Sequence, residues 1–266
     1  MIDIDKIDYS ALDRPEILQF LFHPRKEMRP PRITSSATEL LIPVEDDVKV
    51  GAKLHHAEKS SPIILFFHGN GEVVSDYDDI GPVYADMGIN FVPVDYRGYG
   101  LSTGRPTVTG MMRDCHVIFD FLKAWFADHG LKGPLVIMGR SLGSASALEL
   151  ADHYQEDFQG LVIESGFAYA SPLLRLLGIN MEALGIGEAE GFANIDKIRR
   201  YKKPLLIIHA EYDHIIPFTD GKALFDACGS LQKKMLEIPG ADHNTIFYHG
   251  ARAYLSAVRD LIQTIV

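Results

Sequence analysis

The sequence is short of cysteine, of basic charge and of long apolar runs, and each shortage excludes a class of protein. The 266 residues include two cysteines, Cys115 and Cys228, whose spacing is that of neither a metal site nor a redox motif. Lysine and arginine number 26 against 36 aspartates and glutamates, and the resulting net charge of −10 argues against nucleic acid as a partner. No apolar run approaches the roughly 20 residues that span a bilayer.

The N-terminal residues and the cysteines predict the compartment. Residues 1–8 lack the basic start and the apolar centre of a secretory signal peptide. Two cysteines far apart in sequence are most simply buried thiols in a reducing compartment. We therefore expect a cytoplasmic protein. The ordinary balance of 47% hydrophobic and 23% charged residues predicts a single globular domain over residues 1–266.

Short apolar runs alternate with longer amphipathic stretches through most of the chain. The run Ile63–Phe67 is typical of a strand buried on both faces, and Gly110–Asp128 carries apolar residues at helical spacing. This alternation predicts an α/β fold with a mostly parallel sheet, preceded by an antiparallel hairpin. The predicted strands are 39–43, 48–55, 63–67, 91–94, 135–138, 161–163, 205–208 and 234–238, and the predicted helices are 15–22, 75–87, 110–128, 141–154, 219–227 and 244–266.

Two segments fall outside this alternation. Residues 1–32, which end among several prolines, are predicted to form an N-terminal arm on the outside of the domain. About forty residues separate Glu164 from Pro204, far more than an ordinary connection. We expect a small helical lid over residues 165–203, because ligands bind at the carboxyl ends of parallel strands. An ordinary crossover helix with long loops is the alternative.

A predicted strand runs directly into a glycine-flanked serine. The apolar run Leu135–Met138 is followed by the pentapeptide Gly139–Gly143 (GRSLG), and small residues then begin a helix. In this context Gly-x-Ser-x-Gly predicts a nucleophile elbow, in which a strained turn pushes the side chain of Ser141 out at the sheet edge. The flanking glycines avoid collisions with the neighbouring strand and helix. A helix N-cap serine is the alternative, although an N-cap needs no flanking glycines.

A serine nucleophile needs a base, and the base needs a carboxylate that orients its ring. The order serine, acid, histidine along the chain is typical of this strand–turn–helix context. Asp213, in the loop after the predicted strand 205–208, is the candidate acid. A solvated turn aspartate is its alternative reading, and Glu211 and Asp242 are rival acids.

The sequence contains 11 histidines, so the candidate base is identified by its position relative to the predicted strands and helices. His243 lies in the loop after the last predicted strand and before the last helix, where it can reach the same sheet edge as Ser141. His209 is expected to support the acid loop from a strand end, and His214 to face solvent or the pocket rim. His249 lies too far along the final helix.

Two backbone N–H groups are candidates for an oxyanion hole. Leu142 follows Ser141 at the start of a helix, where the helix dipole favours negative charge. The second is expected from Asn70, in the glycine-rich loop 68–72 after the strand 63–67. A plain strand-to-helix turn also needs those glycines, so this loop predicts an oxyanion hole only in combination with Ser141.

Three charged residues near these motifs have structural and functional readings. Arg97 is expected to tie loops together through carboxylates or carbonyls. Arg140 either braces loops through a salt bridge or presents its charge to the pocket. Glu72 is either a helix-start carboxylate or a substrate contact.

Four motifs together resemble the α/β-hydrolase superfamily, most closely its BEM46-like, ABHD13–ABHD17-like serine hydrolase branch. They are residues 68–72 (HGNGE), 95–104 (DYRGYGLSTG), 139–143 (GRSLG) and 240–244 (GADHN), and the resemblance covers roughly residues 38–260. It implies an α/β-hydrolase fold with an eight-stranded sheet and a triad of Ser141, Asp213 and His243. It also implies oxyanion amides on Asn70 and Leu142.

The resemblance implies hydrolysis of esters or thioesters, without a metal or organic cofactor. We expect a serine hydrolase acting on carboxylic esters or thioesters of small to medium acyl groups through an acyl-enzyme. A peptidase or acyltransferase of the same fold, or a non-catalytic binding protein on this fold, are the alternatives. The chain departs from the branch in having Ala210 and Glu211 where a glycine and a variable residue are common. The lack of an N-terminal cysteine cluster argues against a membrane-tethered depalmitoylase.

Overall fold

A hairpin and six parallel strands form one eight-stranded sheet in the computed structural model, which describes residues 2–30 and 36–265. The strands are β1 (Ala37–Glu45), β2 (Val48–His55), β3 (Ile63–Phe67), β4 (Asn90–Val94), β5 (Leu135–Arg140), β6 (Gly160–Glu164), β7 (Leu205–Ala210) and β8 (Lys233–Ile238). Their order across the sheet is β1-β2-β4-β3-β5-β6-β7-β8. The hairpin strand β2 pairs antiparallel with β1 and β4, and β3 to β8 run parallel. The predicted mostly parallel eight-stranded sheet is therefore confirmed.

The connections carry the helices. These are α1 (Pro15–Leu21), α2 (Gly81–Asp86), α3 (Val108–Asp128), α4 (Gly143–Tyr154), α5 (Ala170–Leu176), α6 (Asn194–Arg200), α7 (Phe218–Ala227) and α8 (Ile246–Ile265). The single helix expected over residues 75–87 was wrong. A 3-10 turn at Val74–Tyr77 precedes the short α2, and Pro82 lies in the first turn of α2, where its missing N–H costs nothing.

Side chains of each central strand alternate between two apolar clusters, one on each face of the sheet. Leu65 and Phe67 of β3 belong to the cluster covered by α3 and α4. Ile64 and Phe66 belong to the cluster covered by α2 and α8. Burial of both faces explains why the parallel strands are continuous apolar runs in the sequence.

The described part of the N-terminal arm is packed into the first of these clusters. Leu12 and Ile17 are 0% exposed, so the arm contributes core side chains instead of lying on the outside. Asp13 Oδ1 accepts the N–H groups of Val108 and Thr109 at 2.6 and 3.2 Å and so caps the N-terminus of α3. Parts of two predicted elements lie outside the described residues. They are Met1, Pro31 and Arg32 of the predicted arm and Val266 of the last predicted helix, and residues 33–35 are not described either.

The segment 165–203 contains two α-helices and two 3-10 turns. Lys197 of α6 pairs with Glu149 of α4 at 2.6 Å, so α6 lies where an ordinary crossover helix would lie. Glu188 accepts the N–H groups of Ala170 and Ser171 at 2.5 and 2.9 Å and caps α5. The candidate lid is therefore carried by α5 and the two 3-10 turns, Glu182–Leu184 and Glu188–Glu190.

Candidate active site

Ser141 lies in a strained turn between β5 and α4. Its φ of 51° is in the left-handed region, which non-glycine residues rarely adopt. A Cβ on Gly139 would lie 2.3 Å from the carbonyl oxygen of Gly143, and a Cβ on Gly143 would lie 2.1 Å from that of Phe67. The glycines therefore permit the tight turn. The N-cap of α4 is Leu142, without a side-chain cap bond, so the N-cap reading of Ser141 does not hold.

A continuous hydrogen-bonded chain joins the three predicted side chains. His243 Nε2 lies 3.0 Å from Ser141 Oγ, and His243 Nδ1 lies 2.8 Å from Asp213 Oδ2. All three residues are at least nine-tenths buried, with exposures of 8%, 4% and 7% for Ser141, His243 and Asp213. An ionised carboxylate can only accept, so this geometry puts the imidazole proton on Nδ1 and leaves Nε2 free to accept the serine proton.

Asp213 is held in its ionised form by the loop that carries it. Its Oδ1 accepts the N–H groups of Ile215 and Ile216 at 3.0 and 2.8 Å. Burial alone would raise the pKa of Asp213, but the hydrogen bond and charge of His243, together with the Ile216 N–H, bring that pKa below its ordinary value. His209 donates from Nε2 to the carbonyl oxygen of Ile216 at 2.8 Å and supports this loop.

The rival acids have other partners. Glu211 Oε2 accepts the Gly240 N–H at 2.8 Å, which ties the acid loop to the loop after β8. Asp242 Oδ1 accepts the N–H of Asn244 and the hydroxyl of Thr245, both at 2.9 Å. The rival bases His214 and His249 are exposed.

The Asn70 side chain is held by three hydrogen-bond contacts with two residues, Tyr99 and His23. Asn70 Oδ1 accepts the Tyr99 hydroxyl at 2.7 Å and the His23 N–H at 2.9 Å, and Asn70 Nδ2 lies 2.9 Å from His23 Nδ1. Within the described residues, no carbonyl accepts the backbone N–H of Asn70 or of Leu142. Both predicted oxyanion donors therefore retain a free N–H. The contact with His23 was missed, since no sequence pattern links the arm to a loop 47 residues away.

Two cavities lie near these side chains. One, of about 210 Å³, is enclosed by α2, α8 and the sheet, and Glu72, Arg140, Glu164 and Asn244 provide its polar wall. The other, of about 140 Å³, is mainly apolar and lies between α5 and the acid loop. Its lining includes Phe167, Leu173, Leu176, Ile215 and Ile216.

One group of described side chains has the spacing of metal ligands, but its members already have partners. His116, Glu149 and His153 bring their ligand atoms within 4.8 Å of one another. Glu149 is bound by Lys197 Nζ at 2.6 Å and the Tyr9 hydroxyl at 2.8 Å, and His153 Nδ1 donates to the Glu149 carbonyl oxygen at 3.0 Å. The group therefore ties the arm to α4 and α6. Both cysteines are free and buried. Among the described helices, none combines the length and apolarity needed to cross a bilayer.

Comparison with known proteins agrees with this architecture. A family model described as Hydrolase_4, serine aminopeptidase S33, matches residues 58–184. The protein bem46 of Schizosaccharomyces pombe is 30% identical over 191 residues, covering 70% of this chain and 62% of that protein. Lysophosphatidylserine lipase ABHD12 of Xenopus tropicalis is 35% identical over 184 residues, covering 63% of this chain and 47% of that protein. The chain thus spans about half to two thirds of the length of these relatives.

A solved structure shows the same fold at lower identity. Est1E from Butyrivibrio proteoclasticus superposes with a TM-score of 0.72 at 18% identity, covering 85% of this chain and 98% of the other. This likeness shows the fold alone. Together, the matching family model and the curated relatives, which are hydrolase-domain proteins of the BEM46, ABHD17 and ABHD12 types, identify the chain as a member of the α/β-hydrolase superfamily.

Proposed function

We propose that this chain is a serine hydrolase that cleaves carboxylic esters or thioesters of small to medium acyl groups through an acyl-enzyme on Ser141. The observation that carries the proposal is the hydrogen-bonded chain from Ser141 through His243 to Asp213, at 3.0 and 2.8 Å. A buried carboxylate, an imidazole and a serine hydroxyl in this order activate the serine as a nucleophile.

The proposed reaction has two halves. His243 Nε2 accepts the proton of Ser141 while Oγ bonds to the substrate carbonyl carbon, and the resulting oxyanion is stabilised by the N–H groups of Asn70 and Leu142. The tetrahedral intermediate collapses, the bond to the leaving group breaks, and His243 returns the proton to the departing alcohol or thiol. Water, deprotonated by the same imidazole, then releases the acid and restores Ser141.

The apolar cavity beside the acid loop supports the acyl size. Its volume of about 140 Å³ suits a short or medium chain, and Ile215 and Ile216 in its wall directly follow the acid Asp213. On this proposal α5 acts as the lid that covers the acyl group and excludes water from it. Because a relative is named a lysophosphatidylserine lipase, lysophospholipids belong among the substrates to be tested.

A peptidase is the second candidate, favoured by the description of the matching family model. An aminopeptidase has to bind an N-terminal ammonium, so it needs a carboxylate that is free to do so. Glu72 and Glu164, in the wall of the larger cavity, are both paired with Arg140 at 3.0 and 3.1 Å. Asp220, in the wall of the smaller cavity, accepts the N–H of Ala168 at 2.8 Å. We therefore favour ester over amide hydrolysis. An acyltransferase would share every step up to the acyl-enzyme.

The test combines covalent labelling with a substrate series. A fluorophosphonate is expected to label the wild-type chain and to leave Ser141→Ala unlabelled. p-Nitrophenyl esters from acetyl to dodecanoyl, with thioester, lysophospholipid and aminoacyl p-nitroanilide arms, would then identify the substrate class. Absence of labelling in folded protein would overturn the proposal in favour of a non-catalytic binding role. Cleavage of the anilide in preference to every ester would favour the peptidase.

A further inference from the structure

Arg140 contacts three of the segments that form the candidate site. Its Nη2 donates to the carbonyl oxygen of His243 at 2.8 Å, and its Nη1 lies 3.0 Å from Glu72 Oε1. Its Nε lies 3.1 Å from Oε1 of Glu164. Each nitrogen of the guanidinium therefore has a partner on a different part of the chain, and Arg140 itself immediately precedes Ser141.

Each of these partners is connected to an active-site group. Glu72 Oε2 accepts the N–H of Gly69 at 2.6 Å, next to Asn70 in the oxyanion loop. A Cβ on Gly69 would lie 3.0 Å from Arg140 Nη1, so this loop also packs against the guanidinium. The carbonyl oxygen of Glu164 accepts the N–H of Ser141 at 2.9 Å. The base loop, which is the segment 239–245 between β8 and α8 that carries His243, is held directly by Arg140 through the carbonyl oxygen of His243.

We propose that Arg140 is a positioning residue that fixes the base loop and the oxyanion loop relative to the nucleophile elbow. This inference rests on the proposed hydrolase function. The geometry supports it because catalytic groups on three separate loops have to be held to within a fraction of an ångström, and misplacement by about 1 Å costs about 10²-fold in rate. The planar guanidinium supplies donors in three fixed directions, which suits it to that task.

The surroundings of Arg140 bury the bridge and give both of its carboxylates a second partner. The side chain of Arg140 is 12% exposed and that of Glu164 is 8% exposed, so water competes little for their contacts. Burial would raise the pKa of Glu72, but Arg140 and the Tyr77 hydroxyl, which donates at 2.6 Å, lower it below its ordinary value. Tyr254 donates to Glu164 Oε2 at 2.7 Å. Both carboxylates are thus held by a phenol as well as by the guanidinium.

The sequence allows two roles for Arg140, a salt bridge that braces loops and a charge presented to the pocket. Arg140 lines the cavity of about 210 Å³ between α2 and α8, as a pocket charge would. However, Nε, Nη1 and Nη2 are all engaged by protein atoms. We therefore infer that Arg140 holds the loops in place and does not bind the substrate.

The experiment replaces Arg140 by lysine, which keeps the buried positive charge but cannot reach three partners from one ammonium. Arg97→Lys is the matched control, because Arg97 also bridges two carboxylates, Asp114 at 2.6 Å and Glu45 at 2.6 Å, without touching the three loops. For Arg140→Lys we expect kcat on the best p-nitrophenyl ester to fall about 10²-fold with KM little changed. The fluorophosphonate labelling rate should fall in parallel.

A purely structural role would give a different result. Arg97→Lys is expected to lower the unfolding temperature while keeping the wild-type kcat, because Arg97 holds two carboxylates that lie outside the candidate site. Equal kcat and labelling rates in Arg140→Lys and wild type, with both folded, would overturn the inference and leave the hydrolase proposal intact. A loss of kcat in Arg97→Lys as large as that in Arg140→Lys would overturn it as well.

A second variant guards against misfolding of Arg140→Lys. Glu72→Gln keeps an oxygen for the Gly69 N–H but removes the charge that holds Arg140 Nη1. We expect a smaller loss of kcat in the same direction, again with KM little changed. An unchanged kcat in this variant would contradict the proposed link to the oxyanion loop. Wild-type protein that fails to label would overturn the hydrolase proposal, and this inference with it.

Discussion

At Ser141 the requirements of the backbone and of the proposed chemistry conflict. A side chain at φ 51° is strained, yet the hydroxyl has to be there to meet His243 Nε2 at 3.0 Å. Gly139 and Gly143 let β5 and α4 pack closely around this turn, since a Cβ at either position would collide with backbone atoms. The elbow therefore places backbone strain at the residue that carries the proposed nucleophile, as functional turns commonly do.

Relief of that strain gives the first prediction. Ser141→Gly and Ser141→Ala both remove the hydroxyl, but only glycine adopts this φ without cost. We expect Ser141→Gly to be more stable than Ser141→Ala by about 1 kcal/mol, the penalty of a left-handed residue less the backbone entropy of glycine. Urea unfolding of the two inactive variants measures the difference. Equal midpoints would show that the turn is not strained.

Asp213 carries the second prediction. Asparagine at this position keeps the shape but can donate to His243 Nδ1, which favours the wrong tautomer of the imidazole. We expect Asp213→Asn to lower kcat by about 10⁴-fold with little change in KM. Glu211→Gln is the control, since Glu211 binds the Gly240 N–H and not the imidazole. Similar losses in steady-state assays of the two variants would contradict the choice of acid.

At the scale of elements, the carboxyl ends of β5, β6 and β7 and the loop after β8 bring the site together. The elbow and the acid loop are predictable because each directly follows a buried apolar run, β5 and β7. The base loop follows the half-exposed strand β8, so its position between the last strand and the last helix is what predicts it. The strand boundaries, 135–140 against a predicted 135–138 for example, differ by a few residues, since polar ends such as Arg140 still pair with Glu164 in the sheet. The helix broken near Gly81 was missed because amphipathic spacing continued through a proline that starts a new helix.

Helix α5 gives the third prediction. Leu173 lies on α5 in the wall of the apolar cavity of about 140 Å³, opposite Ile215 and Ile216 of the acid loop. Leu173→Trp fills part of this cavity, so we expect the enzyme to prefer a shorter acyl chain than wild type does. For the longest ester that is cleaved, KM should rise at least tenfold, which corresponds to a loss of roughly 1.4 kcal/mol of binding free energy. The measurement is the p-nitrophenyl ester series with wild type in parallel.

The control for this variant is Leu231→Trp, because Leu231 is 100% exposed and lies two residues before β8, at the end of the strand away from the acid loop. Its ester profile should match that of wild type. Labelling of Leu173→Trp by a small fluorophosphonate should also be unchanged, since Ser141 is not altered. An unshifted length profile would place the acyl group elsewhere, and α5 would then not be its lid.

At the scale of the whole molecule, contacts between distant segments decide what the sequence could not show. Arg140 meets the carbonyl of His243 across 103 residues, and His23 meets Asn70 across 47. Neither contact leaves a periodic or local pattern, because each depends on how finished elements pack. Fold class and proposed triad follow from local patterns, whereas the bracing of the site and the packing of the arm are properties of the assembled fold.

Buried histidines give the last prediction, which concerns the stability of the entire chain. His55 is 3% exposed beside Gly81, and its Nε2 has no partner among the described residues. Burial lowers the pKa of His55 to about 4, so between that pH and its ordinary value of 6.5 the unfolded chain binds a proton that the folded chain refuses. The contribution of neutral His55 to the free energy of unfolding is fully present above pH 6.5, and it is lost as the pH falls to about 4.

Replacing His55 by phenylalanine, a ring that does not titrate, should flatten the acid side of the stability profile. The slope of the unfolding free energy between pH 4 and 6.5 should fall by up to about 1.4 kcal/mol per pH unit, the value for one proton. Some slope should remain, because burial also lowers the pKa of His209. Urea unfolding across this pH range measures it, with His249→Gln, an exposed histidine on α8, as the control that should keep the wild-type slope. An unchanged slope in His55→Phe would mean that His55 takes up its proton in the folded chain as readily as in the unfolded one.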